Sequence, residues 1–237
     1  MSANPGDTSA QRLKNLVKFC LGKIPEWRPE HRAETQFLGT EYGGWAVIPG
    51  LIKPTDIVYS FGIGHDNSFD LEMIKRFGVT VHAFDPTPGL GDWMKEQGFD
   101  ERFRFYDYGL AGFDGEVEIR SQATDQQTSG TILDRTELDV NTSGTTIVVK
   151  RLSTIMKDLG HEHIDLLKMD IEGAEFDAVA DLLASGIRPK QLLIEYHRYF
   201  KDGKQKEKDS IALVRKHGYK LFDVSARAME FGFLRMD

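Results

Sequence analysis

The sequence predicts an α/β fold, a doubly wound and mostly parallel sheet, on three observations. From Asp56 onward, short apolar runs alternate with segments of helical period. The first run, Ile57-Val58-Tyr59-Ser60-Phe61, breaks into Gly62 and Gly64 before a helical segment opens. The same alternation resumes at Ile164 and closes on two strand-like segments. Strand–helix–strand repeats imply parallel strands joined by right-handed crossovers, with helices covering the sheet.

In chain order, residues 1–10 read as a polar, disordered tail. Leu13, Leu16, Val17, Cys20 and Leu21 recur at helical spacing, with Gly22 as terminator. Residues 25–50, rich in Pro, Gly and aromatics such as Trp27, Tyr42 and Trp45, form an irregular lead-in that packs on the core. Residues 1–50 are thereby set apart from a domain over 51–237. Within it, Phe69, Met73, Ile74 and Phe77 share a helix face, and Val79–Phe84 is a second strand. A helix around Trp93 leads to a third strand near Phe103–Tyr106. Glu116–Arg120 and Ile147–Val149 are strands flanking a polar insertion, 121–144, which is either a lid or a plain loop. Ile164–Met169 and Gln191–Tyr196 are strands separated by a helix carrying Phe176, Val179, Leu182 and Leu183. The mixed-charge run 201–208 reads as a solvated loop, followed by a helix with Ile211 and Val214. Tyr219–Val224 and Met229–Arg235 make a closing antiparallel hairpin.

The 237 residues carry a formal net charge of -7. That balance argues against a groove tracking DNA or RNA phosphates, which needs clustered Lys and Arg. One cysteine, Cys20, makes neither an internal disulfide nor a Cys-rich zinc site. Met1–Ala10 lacks an apolar signal core, and no stretch has the apolar length of a membrane span, so a cytoplasmic address and no membrane partner are expected.

Ser60-Phe61-Gly62-Ile63-Gly64-His65-Asp66-Asn67-Ser68 joins the first strand to its helix. Glycines there let the backbone turn sharply and approach a ligand. Asp85 ends the second strand roughly twenty residues on, where a carboxylate accepts hydrogen bonds from ribose hydroxyls. The pair suits a nucleotide-like cofactor, NAD included. However, Asn67 stands where the dinucleotide fingerprint needs its third glycine, and no Walker-type lysine favours ATP.

Leu167-Lys168-Met169-Asp170-Ile171-Glu172-Gly173-Ala174-Glu175 resembles the L-K-x-D-x-E-G-x-E signature of FkbM-type methyltransferases. Val58–Gly64, Val81–Pro86 and Leu193–His197 are similar, in order and spacing, to that family's first two cofactor motifs and its later acidic-histidine strand end. The resemblance implies a seven-stranded, Rossmann-like class I methyltransferase sheet. It also implies methyl transfer from S-adenosylmethionine, commonly to a hydroxyl oxygen of a sugar or natural product. Ser60, Gly62, Gly64, Asp66, Ser68, Asp85 and Asp170 are then the candidate cofactor contacts. Asp107-Tyr108-Gly109-Leu110, with Tyr108 and Gly109 foremost, is the candidate wall for adenine, Tyr108 being equally readable as a core or surface aromatic. The sequence departs from the usual pattern at Ser60, where such enzymes carry an acid that orients the methionine amino group; Asp66 or Asp170 are candidates to compensate.

For a hydroxyl acceptor, the protein must align the reacting atoms and take or displace a proton. Asp170, Glu195 and His197 end adjacent strands and are the candidate catalytic residues, with His197 as general base. Alternatively, the three hold a divalent cation that polarises the acceptor oxygen. Glu175 reads as favourable charge at a helix start, and His161 and His163 as solvated. The rival functions are a NAD-dependent oxidoreductase on the same fold and a non-catalytic S-adenosylmethionine-binding module.

Overall fold

The computed structural model describes Val17 and residues 27–98, 100–121, 130–131, 144–199 and 202–236. The expected helix over 13–21 (Val17 apart), Cys20 and most of the 121–144 insertion lie outside the described residues.

β1 (Gln36–Leu38) and β2 (Trp45–Val47) pair antiparallel ahead of the main sheet. Strand–helix repeats follow: β3 (Ile57–Phe61), α1 (Ser68–Phe77), β4 (Thr80–Phe84), α2 (Leu90–Gln97) and β5 (Phe103–Tyr106). Next come β6 (Gly109–Leu110), β7 (Gly115–Ser121), β8 (Gly130–Thr131) and β9 (Gly144–Lys150). The chain then runs through α3 (Leu152–Leu159), β10 (Leu166–Met169), α4 (Glu175–Ala184), β11 (Gln191–Glu195), α5 (Gly203–Lys216), β12 (Tyr219–Val224) and β13 (Glu230–Arg235). The main sheet has seven strands in the order β12-β13-β11-β10-β3-β4-β5. Its strands are parallel except for β13, which is antiparallel to both neighbours. After β3 the chain builds outward through β4 to β5; it then returns to β10 on the other flank of β3. The strand order therefore reverses between β3 and β10, and a ligand crevice is expected outside the carboxyl ends there.

The apolar strand runs are continuous because both faces of the sheet are covered. Tyr59, Phe61, Leu167, Met169, Leu192 and Ile194 pack with residues of α3, α4 and α5, such as Ile155, Val179 and Ile211. The alternate set, Val58, Val81, Ala83, Leu166 and Leu193, packs with Phe69 and Met73 of α1 and Leu90 and Met94 of α2. Leu38, Trp45 and Val47 join this second core, so the lead-in contributes core side chains.

The strands expected at Glu116–Arg120 and Ile147–Val149 are present, and two other expectations, on 201–208 and His161, are corrected. β7 and β9 pair with each other in a separate four-stranded sheet, order β6-β9-β7-β8. The run 201–208 is mostly the first turns of α5, because Glu207 is fully buried and accepts hydrogen bonds from Trp27 Nε1 and Arg198 Nη1, both at 2.8 Å. His161 is half-buried rather than solvated: its Nδ1 lies 2.6 Å from Tyr59 Oη, beside the stacked His82–Tyr106 pair. His163 is exposed as expected. Among the described residues, no helix is long and apolar enough to cross a membrane.

Candidate active site

A cavity of about 660 Å³ opens over the carboxyl ends of β3, β4, β10 and β11. Its floor is the glycine turn. Gly62 has φ 70°, and a Cβ there would stand 1.6 Å from the backbone oxygen of Asp170. The turn thus seats directly against the end of β10, and only a residue without a side chain fits. Gly64, also at positive φ, faces open space. Its N–H donates to Asp85 Oδ2 at 2.9 Å, while Thr87 N–H donates to Oδ1 at 2.9 Å. Asp85 is buried, yet each of its oxygens keeps a lone pair for a ligand in the cavity it lines.

Of the predicted residues, Gly62, Gly64, Asp66, Asp85, Gly109, Asp170, Glu195 and His197 line this one cavity. Ser60, Ser68 and Tyr108 do not. Ser60 is fully buried beside Asp70 of α1, and neither Ser60 Oγ nor Asp70 Oδ1 has a hydrogen-bond partner of good geometry. Burial pushes the Asp70 carboxyl up to about 6, against the pull of Lys168. Ser68 Oγ accepts from Thr40 N–H at 2.9 Å, and the Thr40 hydroxyl bonds Asp66; this pair ties the lead-in to the glycine turn. The Tyr108 ring packs on Phe84 and Tyr106 with Lys150 Nζ 4.7 Å above it. Of the expected segment Asp107–Leu110, Gly109 and Leu110 line the cavity, with Ile147 and Val149 beside them. Sequence reasoning missed Trp45, Lys168 and Arg227 as lining residues. For Lys168 the signal was present: a lysine inside an otherwise apolar four-residue strand.

At the other end of the cavity, one imidazole gathers four carboxylates. His197, 8% exposed, donates from Nδ1 to Glu175 Oε1 at 2.8 Å. Its Nε2 faces Glu172 at 3.6 Å, Asp170 at 3.8 Å and Glu195 at 3.9 Å. Those three distances are too long for hydrogen bonds. Burial alone would push the imidazole pKa down; the bonded Glu175, with Asp170 and Glu172, overrides it and raises it to about 10. Burial, with Asp170 adding to it, pushes Glu195 up to about 8. Burial likewise raises Asp170 to about 6, against Lys168 and His197. Asp170, Glu195 and His197 each offer a ligand atom within 4.8 Å of the others. Glu175 closes the arrangement from beneath: its Oε1 also accepts from the N–H groups of Ile171 and Gly173, both at 3.1 Å. Between them Glu172 adopts φ 52°, a left-handed conformation unusual for a side-chain-bearing residue. The cluster can accept a proton or hold a cation.

The fold and the cavity define an α/β domain with its ligand crevice where the strand order reverses. Residues 46–221 match the model of the methyltransferase FkbM domain, and the chain belongs to that family. It carries a methyltransferase domain. It is 23% identical to probable methyltransferase-like protein 24 of Homo sapiens over 146 residues, covering 60% of this chain and 33% of the relative. The Rattus norvegicus protein of the same name is 25% identical over 146 residues, with the same coverage. The match thus spans about a third of the length of these curated relatives. A crystal structure of methyltransferase FkbM from Methylobacillus flagellatus KT aligns with a TM-score of 0.48 at 14% identity, covering 77% of this chain and 44% of that one.

Proposed function

We propose that this chain transfers a methyl group from S-adenosylmethionine to a hydroxyl oxygen of a sugar or other small molecule, on a doubly wound class I methyltransferase sheet. The observation that carries this is the Gly62–Gly64 turn joined to Asp85: a tight glycine turn with a carboxylate beside it that still has acceptor capacity. The residues fit the cofactor. Asp85 would hold the ribose hydroxyls, and Gly109 and Leu110 would wall the adenine. When bound, the cofactor supplies an electrophilic methyl on a sulfonium whose leaving group departs neutral. The chain's task is then alignment, worth ~7–11 kcal/mol in well-oriented systems, and removal of the acceptor's proton.

His197 was the expected base. Among four carboxylates its protonated form is the favoured one, with Nδ1–H committed to Glu175. In that form it has no lone pair for an incoming proton. Glu195 lines the cavity and makes no hydrogen bond among the described residues. Raised to about 8 by burial, its ionised fraction takes the acceptor's proton beside the positive His197, so turnover should climb as pH rises toward and through about 8.

Calorimetric titration with S-adenosylmethionine, and with NAD in parallel, tests the proposal. Saturable binding of the first alone is expected, weakened at least ~30-fold by Asp85→Ala as two charge-assisted hydrogen bonds are lost. Binding of NAD alone would make the chain an oxidoreductase instead. Binding without turnover of any hydroxyl acceptor would leave a non-catalytic module.

A second reading is favoured by one observation: the three Nε2–carboxylate gaps, too long for hydrogen bonds, suit donor atoms arranged around a divalent cation. Glu175 on Nδ1 is the outer partner that metal-bound histidines have. In that case turnover falls on exhaustive chelation and returns with magnesium or manganese. Turnover indifferent to both rules the cation out.

A further inference from the structure

We propose that Lys168 recognises the carboxylate at the amino-acid end of the cofactor. This rests on the cavity being the S-adenosylmethionine site. Lys168 is 4% exposed, and its Nζ donates to the backbone oxygens of Gly62 at 2.9 Å and Phe61 at 3.3 Å. An ammonium has three donors, so one remains. Among the described residues no carboxylate stands within 4.0 Å of Nζ. Asp70 and Asp170 feel its charge, but neither bonds it. The Trp45 ring covers it at 5.7 Å. Two backbone carbonyls and the nearby charges of Asp70 and Asp170 support this buried cation, and its third donor is left for an anion. Lys168 lines the cavity, so that anion belongs to the ligand.

S-adenosylmethionine has one anionic group, its carboxylate. Position agrees with chemistry. Lys168 lies on β10 and Asp85 follows β4, on opposite flanks of β3 and its glycine turn. Two strand spacings, roughly 9–10 Å, separate them. The cofactor's ribose hydroxyls and carboxylate are likewise at opposite ends of a chain running through ribose, sulfur and three carbons. Lys168 also accounts for the cofactor's grip where Ser60 replaces the usual acid: recognition shifts from the amino group toward the carboxylate.

The test is binding rather than activity. Three adenosyl ligands are titrated into the wild type and Lys168→Gln: S-adenosylhomocysteine, its decarboxylated analogue, and 5′-methylthioadenosine, which lacks the amino-acid end. The glutamine amide can still donate to the turn carbonyls but carries no charge. Removing the carboxylate is expected to weaken wild-type binding roughly tenfold to a hundredfold, the range of a charge-assisted hydrogen bond. In Lys168→Gln the same removal should change affinity less than about threefold. Methylthioadenosine should bind both proteins alike, which also reports an intact fold. Equal wild-type affinity for S-adenosylhomocysteine and its decarboxylated analogue overturns the proposal without reference to any variant. So does an equal loss of all three ligands in Lys168→Gln, which marks a structural lysine. If no adenosyl ligand binds the wild type, the cofactor assignment itself falls, and the proposal with it.

Discussion

Gly62→Ala is expected to abolish cofactor binding and destabilise the domain by at least ~3 kcal/mol, whereas Gly64→Ala costs only ~1–2 kcal/mol of stability. The two glycines stand two residues apart, and both have positive φ. The left-handed backbone term, ~1–2 kcal/mol, is therefore common to both. What separates them is space. A Cβ on Gly62 would meet the backbone oxygen of Asp170 at 1.6 Å and its carbonyl carbon at 2.7 Å. Backbone cannot rotate away as a side-chain tip can, so β3 and β10 must part at the ends that build the site. The Gly62 N–H bond to Phe84 O, 2.9 Å, and the Lys168 bond to Gly62 O move with it. A Cβ on Gly64 meets nothing within 4 Å but enters the volume assigned to the cofactor. Gly64→Ala should then bind S-adenosylmethionine more weakly while melting near the wild type. Urea unfolding and calorimetry on both variants measure this. Indistinguishable stabilities would show that the turn is not held against β10 as described.

Much of this site was legible because its placement follows from local rules. A glycine turn after a fully buried strand, and an acid ending the next strand, need only strand–turn–helix order to be located. The seven-stranded, mostly parallel sheet rested on the same kind of signal: β3, β4, β10 and β11 are buried on both faces, so each reads as a largely apolar run rather than an alternation. What failed depends on partners distant in sequence. Glu207 looked solvated among lysines, but its partners are Arg198, 9 residues away, and Trp27, 180 residues away. Tyr108 falls between β5 and β6, where period-two alternation is interrupted and no local rule says which way a ring turns. Glu175 satisfied the helix-end expectation as the first residue of α4, and that sufficient local reason concealed its contact with His197, 22 residues on.

Glu175→Ala should bring the other large loss: turnover down at least ~10²-fold and stability down by ~3–5 kcal/mol. Glu175 is fully buried, and three donors converge on its Oε1, from Ile171, Gly173 and His197. Truncation orphans two backbone N–H groups and leaves a buried imidazole facing three carboxylates with nothing fixing its ring. Glu175→Gln keeps an acceptor oxygen and removes the charge, so it should fold nearly as well as the wild type. Its effect falls on His197, whose pKa is raised to about 10 by Glu175 and by Asp170 and Glu172 against the opposing effect of burial. A raised histidine contributes stability that is complete below its unfolded pKa of ~6.5 and lost as pH rises through the folded value. In chelator-stripped wild type, stability should therefore decline between pH ~6.5 and about 10. In Glu175→Gln the folded pKa drops and the decline flattens. Urea melts across that range, paired with turnover, check both variants. Wild-type turnover in Glu175→Ala, or an unchanged alkaline decline in Glu175→Gln, would show that His197 takes neither its orientation nor its charge from Glu175.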